Sequence, residues 1–188
     1  MVMVNETLNL RIISLRNVNI TDVEVFLEKI REKFPNISFQ IFDADKIVSK
    51  RHLEIAFLNA VKAFKLGKNI SKNFPVEVML YVSGQRQIRK AFELVGLTVE
   101  TKNIVLTIFN EKNGEKVEEI LGFVISLVGG EVDDDVINIY SEEKAKKIMK
   151  TFRISNVEIK TLKMGKITLN EVLEKLVLER VALLAAQE

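Results

Sequence analysis

The chain has 188 residues, 47% of them hydrophobic and 29% charged, the composition of a globular protein with a core large enough to need no covalent staple. It has no cysteine and one histidine, His52, which excludes disulfides, thiolate zinc sites, a cysteine nucleophile and any multi-histidine metal centre. The net charge of +2 conceals segregation, because residues 43 to 90 hold ten Lys/Arg against four Asp/Glu, whereas residues 111 to 143 hold two against ten. That distribution offers a basic face to a polyanion unless folding interleaves the two segments.

Leu8, Leu10 and Ile12 alternate with polar neighbours and predict a half-buried strand near the N-terminus. Thr21 and Glu24 stand at capping-box spacing, and Val23, Phe26, Leu27, Ile30 and Phe34 follow at helical intervals up to Pro35. A strand is predicted over Ile37 to Phe42. From Ser49, the residues Leu53, Ala56, Phe57, Ala60 and Phe64 give one apolar face of a helix that Gly67 can end.

Val76 to Val82 reads as a fully buried strand, turned by Ser83 and Gly84 into a helix that carries Ile88, Ala91, Phe92 and Val95 and stops at Gly96. Ile104 to Phe109 is another predicted strand. Helices are predicted over Glu115 to Val128 and Ser141 to Phe152, then a short turn opened by Ser155 with Glu158, and a last helix over Thr168 to Ala186.

Prolines occur only at positions 35 and 75, and no linker or repeat divides the sequence, so one domain over residues 1–188 is expected. The element order predicts a mixed α/β or α+β fold, a single sheet of about four strands flanked by helices with a mostly helical C-terminal third. Strand order is left open by this reading. The opening residues lack the pattern of a signal peptide. The longest apolar stretch, Ile120 to Val128, is broken by Gly122 and Ser126 and falls far short of the roughly 20 residues a bilayer crossing requires. A cytoplasmic protein without membrane contact is expected.

Chemistry-bearing motifs are sparse. The eight glycines have the wrong spacings for a P-loop or dinucleotide fingerprint. Tyr81 to Gln85 imitates a nucleophile elbow but lacks the glycine two residues before Ser83 and the one two residues after it. His52-Leu53-Glu54 has the spacing of a deaminase motif without the cysteines that motif needs. Asp133-Asp134-Asp135 is read as a solvated loop rather than a site for a hard cation, since it lacks alternating ligands. No catalytic residue, metal site or cofactor is expected.

The segment from Ser83 to Lys90, placed at a helix N-terminus after a buried strand, has a geometry that favours anions: free amide N–H groups, the positive helix end and Arg86. Lys62, Lys65, Lys68 and Lys72 continue the basic theme as a stripe able to track a nucleic-acid backbone. His52 is open to two readings, contact with a ligand or packing at its helix start. The last helix is apolar over more than one face, through Val172, Leu173, Leu176, Val177, Val181 and Leu184 with Leu169, Leu178 and Leu183. It either inserts into the domain or offers its second face to a partner.

Three blocks of residues resemble a known family: Phe42 to Val48 with His52-Leu53, Ala56, Ala60 and Ala63-Phe64; Glu77 to Ile88 with Ala91 and Gly96; and Val177 to Leu184. The Tyr-x-Ser-Gly-x-Arg-Gln-Ile run within the second, Tyr81 to Ile88, is the most specific. In this respect the chain is similar to the kinase-binding CGI-type subunits of the KEOPS complex, the TPRKB family. The resemblance implies a noncatalytic subunit that binds and regulates the atypical kinase/ATPase subunit. It also implies recruitment of tRNA by its 3′ CCA end for threonylcarbamoylation of the adenosine beside the anticodon, with other KEOPS subunits as indirect partners.

On that basis the tRNA end is expected at Ser83, Gly84, Arg86, Gln87 and Ile88, with Lys62, Lys65 and His52 nearby, Arg86 meeting phosphate while Gln87 and Ile88 meet bases. The kinase is expected on the last helix, at Leu176, Val177, Arg180, Val181 and Leu184. The stretch from Glu111 to Glu143 carries no recognised block. Two rivals come from other classes: a small enzyme acting on a phosphorylated metabolite, with Ser83 to Arg86 as phosphate cradle and His52 or Asp43 as acid-base, and a stand-alone RNA-binding protein.

Overall fold

The computed structural model describes residues 9–109, 114–139, 141–162 and 167–186. Strand β1 (Leu10–Arg16) leads to helix α1 (Val23–Lys33), which starts at Asp22, whose carboxylate accepts the Val25 N–H at 3.0 Å. The expected Thr21–Glu24 box is therefore replaced by a cap one residue later. Strand β2 (Ser38–Asp43) and a 3-10 turn (Ala44–Lys46) precede helix α2 (Lys50–Leu66), which is capped by Ser49 and closed by left-handed Gly67 as the sequence predicts.

The segment predicted as a buried strand, Val76 to Val82, is instead the body of helix α3 (Phe74–Ser83). Asn73 caps its N-terminus through the Val76 N–H, Pro75 fits its first turn, and Gly84 closes it at φ +62°. The β-branched residues suggested a strand, but α3 is packed by α2, helix α4 (Ile88–Val95), β2 and helix α8 (Leu169–Ala186). A helix buried on nearly every side has no polar face, and so no helical period for the sequence to display.

Strand β3 (Ile104–Phe109) is followed by helix α5 (Gly114–Val128), a two-residue strand β4 (Glu131–Val132), helix α6 (Glu142–Thr151) and helix α7 (Asn156–Leu162), with α8 last. The sheet runs β2-β3-β1-β4 with every pair antiparallel. Its fourth strand is Glu131–Val132, not the segment that proved helical. The expectation of four strands flanked by helices in a mixed α+β fold is met.

Alternation along the strands divides the core. Leu15, Phe39, Ile41, Ile104, Leu106 and Ile108 face α1 and α5. Phe42, Val105 and Phe109 face the other way, toward the cluster built by α2, α3, α6 and α8. Central β3 is buried along its whole length. Among the described residues no helix is long and apolar enough to cross a membrane.

Candidate functional site

The family-specific run Tyr81 to Ile88 spans the end of α3 and the start of α4. Ser83 is 1% exposed, and its hydroxyl donates to the Leu80 carbonyl at 3.0 Å. The Gly84 N–H donates to Tyr81 and the Gln85 N–H to Leu80, both at 3.0 Å. These groups are engaged in closing a helix C-terminus, the negative end of its dipole. The anion cradle expected at Ser83-Gly84 is thus displaced: the helix N-terminus begins at Gln87, which makes no side-chain cap bond. The N–H groups of α4's first turn have no intrahelical acceptor, and Arg86, Gln87, Ile88, Arg89 and Lys90 are all exposed around them.

His52 is fully buried, the packed alternative of its two readings. Its Nε2–H donates to the Val82 carbonyl at 2.8 Å and its ring meets Phe152 edge-on at 5.6 Å. It fixes the last turn of α3, from which the chain runs on to the exposed crest. Lys62 and Lys65 are exposed on α2 and line none of the cavities that Arg86 lines.

The expected partner surface is revised more deeply. Leu176, Val177, Val181 and Leu184 are at most 3% exposed, because α8 lies against α2, α3, α6 and α7. Internal packing, one of the two alternatives for this helix, is the outcome. Arg180 alone of that group reaches solvent. Its guanidinium pairs with Glu158 and, at 3.5 Å, with Glu179. Glu158 is held to about pKa 2, first by the Ser155 N–H and then by the Arg180 and Ser155 side chains.

A cavity of about 320 Å³ joins the two regions that sequence reasoning assigned to different partners: Gly84, Gln85 and Arg86 line one wall, and Arg180, Leu183 and Leu184 the other. Arg86 beside the apolar Leu183 and Leu184 suits a ligand that combines phosphate with a flat or aliphatic moiety, the Arg180 guanidinium being paired with Glu158 and Glu179. No sequence signal placed Arg86 opposite Arg180, since their juxtaposition depends on how α8 crosses α3.

Elsewhere, several ionisable groups are consumed by the fold. Asp43, 9% exposed, accepts the Asp45 N–H and pairs with Lys46 at 3.3 Å; burial raises its pKa. Asp133 accepts the Asp135 N–H at 3.0 Å and pairs with Arg16 at 3.3 Å. Lys144, 3% exposed, donates to the Val136 and Ile137 carbonyls at 2.7 and 2.9 Å, and burial brings its pKa down to about 8. The acidic segment therefore serves in part to anchor a 3-10 turn (Asp134–Ile137) on α6. Among the described residues no three His, Cys, Asp or Glu side chains converge to hold a metal.

His52 carries a pH signature. Burial lowers its pKa from 6.5 to about 4, opposed by the bond to Val82. Between those values the unfolded chain binds a proton that the folded chain refuses, so stability falls as pH drops from 6.5 toward 4, by up to about 3 kcal/mol. Denaturant titrations at pH 7 and pH 4.5 should show a smaller loss in His52→Gln than in the parent; equal losses would assign the acid limb to carboxylates alone.

The fold is a helix-covered antiparallel sheet that carries an exposed basic crest at the start of α4. The chain belongs to the CGI-121 family: residues 17–185 match the family described as Kinase binding protein CGI-121. It is also similar to the Regulatory protein Cgi121 of Methanocaldococcus jannaschii, with 35% identity over 118 residues, 63% of this chain and 72% of that protein.

Proposed function

We propose that this chain is a noncatalytic subunit of the KEOPS complex that binds and regulates its atypical kinase/ATPase subunit. In the same complex it receives tRNA by the 3′ CCA end for threonylcarbamoyladenosine (t6A) formation in the cytoplasm, meeting other KEOPS subunits indirectly. The kinase reading is supported by the family's description and by the name of the archaeal relative. Exposed apolar side chains on α7, Val157 and Leu162, provide a docking surface in place of the buried residues of α8.

The tRNA reading is carried by the crest at Arg86, Gln87 and Ile88, which stands over the cavity shared with Arg180. Arg86 meets a phosphate of the single-stranded end, while Gln87 and the 44%-exposed Ile88 meet unstacked bases. The metabolite-enzyme rival is less well supported: the Ser83 hydroxyl is bonded inside, His52 lies in the core, and Asp43 is engaged by the Asp45 N–H and Lys46. A stand-alone RNA-binding protein would leave the family's kinase association without a role.

The test compares full-length tRNA with the same tRNA lacking its CCA end, at two salt concentrations. Trimming should weaken binding. Arg86→Glu should lower affinity for intact tRNA about tenfold and make the salt slope shallower by about one, while still co-purifying with the kinase subunit. Equal binding of trimmed and intact tRNA would overturn end recognition, and an unchanged slope in Arg86→Glu would remove this residue from the site.

A further inference from the structure

The geometry points to a second docking site, on the free edge of β2, for an extended segment of a partner protein that carries an acidic side chain. β2 ends the sheet order, so one of its edges has no neighbouring strand. The register decides what that edge presents. The Ala44 N–H donates to the Asn103 carbonyl at 2.9 Å, continuing a ladder in which Phe42 opposes Val105, Gln40 opposes Thr107 and Ser38 opposes Phe109. In an antiparallel pair such hydrogen-bonded positions alternate with positions whose backbone groups point away. Phe39 and Ile41 are therefore the residues that turn N–H and C=O outward.

The two do not remain equally available. The Ile41 carbonyl accepts the Gln40 side-chain amide at 3.3 Å and the residue is 1% exposed, which closes that end. At the other end, the Ile37 N–H is taken by Phe34 at 3.1 Å. Between them lies a groove of about 520 Å³, with Phe39, 7% exposed, on the strand side and Asn73, Pro75, Val76 and Phe92 opposite. Phe92 is 38% exposed, a large ring left at the rim of a slot otherwise walled by apolar and amide groups.

The occupant follows from these features. Outward main-chain groups flanked by apolar walls are satisfied by another extended main chain, the arrangement of strand addition. Arg31 is the one charged residue lining the groove, is exposed, and has no ion pair among the described residues, so it selects an acidic side chain from the incoming segment. A single cation is a poor footing for RNA, whose binding rests on several phosphate contacts. This site lies beyond the proposed kinase and tRNA functions and does not depend on them.

The experiment uses the full chain, labelled with nitrogen-15, and a short peptide with both ends blocked, alternating valine and threonine and containing one glutamate. Its amide signals should shift at Ser38, Phe39 and Val76. A peptide with proline in place of its central valine should lose the shifts, and Arg31→Glu should weaken binding about tenfold. Equal binding of the proline peptide, shifts confined to other surfaces, or a short oligouridylate shifting the same amides more strongly than the peptide would each overturn the proposal. So would concentration-dependent dimerisation moving those amides without peptide, since that assigns the edge to a second copy.

Discussion

Replacing Glu77 by leucine is expected to lower the free energy of unfolding by about 2–4 kcal/mol, the largest single-residue effect argued for this chain. Glu77 lies in the first turn of α3 and is completely buried. Its two carboxylate oxygens accept the Ile70 N–H at 3.1 Å and the Ser71 N–H at 2.6 Å. These donors belong to the connection between α2 and α3, where no helix supplies their acceptors. Leucine would fill similar space and leave both N–H groups without a partner; the Ser71 donor is buried and the Ile70 donor half-buried, and a donor stranded fully away from water costs about 1–3 kcal/mol.

Glutamine separates the polar contribution from packing. Glu77→Gln keeps one oxygen acceptor and should cost about 1–2 kcal/mol. Urea denaturation of the parent and both variants checks the ranking. A leucine variant as stable as the glutamine variant would mean that the connection re-forms its hydrogen bonds elsewhere.

The same helix shows where sequence reasoning stopped. In α2, one side meets the core through Leu53, Ala56, Phe57 and Ala60 while Lys62 and Lys65 meet solvent, so the helical period was visible. In α3, residues Glu77 through Ser83 are all buried. Uniform burial removes the period, and Val76, Val78 and Val82 then weigh toward a strand. The signals that could have corrected the reading were local: Asn73 followed by Pro75 as a helix start, and Gly84 as a helix end.

The candidate site was legible in composition and not in placement. Arg86, Gln87 and Ile88 could be singled out from their sequence neighbourhood, and the structure leaves them exposed at a helix start. Ser83 and His52 belong to the same family blocks but support that crest from inside, through the Leu80 and Val82 carbonyls. A motif records both kinds of residue without distinguishing them. For α8, the apolar circumference is legible in the sequence, and its meaning depends on tertiary contacts with four other helices that no local pattern encodes.

Gly84 provides the second large effect and links stability to the site. Its φ of +62° is left-handed, and a β-carbon there would stand 3.1 Å from the Arg180 Cβ and 3.4 Å from the Arg180 carbonyl oxygen. Gly67 ends α2 at nearly the same angle, φ +65°, with nothing within 4 Å of the corresponding position. Alanine at either glycine incurs the left-handed penalty of about 1–2 kcal/mol. Only at Gly84 must the new methyl group also displace α8. Gly84→Ala should therefore cost about 1 kcal/mol more than Gly67→Ala.

The functional readout should diverge further than the stabilities. Moving α8 away from the end of α3 shifts Arg180 relative to Arg86 and reshapes the cavity between them. Gly84→Ala is thus expected to weaken binding of intact tRNA about tenfold, comparable to losing one charge-assisted contact, while Gly67→Ala binds as the parent does. Thermal unfolding and tRNA titration of the two variants, side by side, provide the check. Equal tRNA affinity in both would show that the α3–α8 approach sets stability alone, and would leave recognition of the tRNA end to the exposed residues that begin α4.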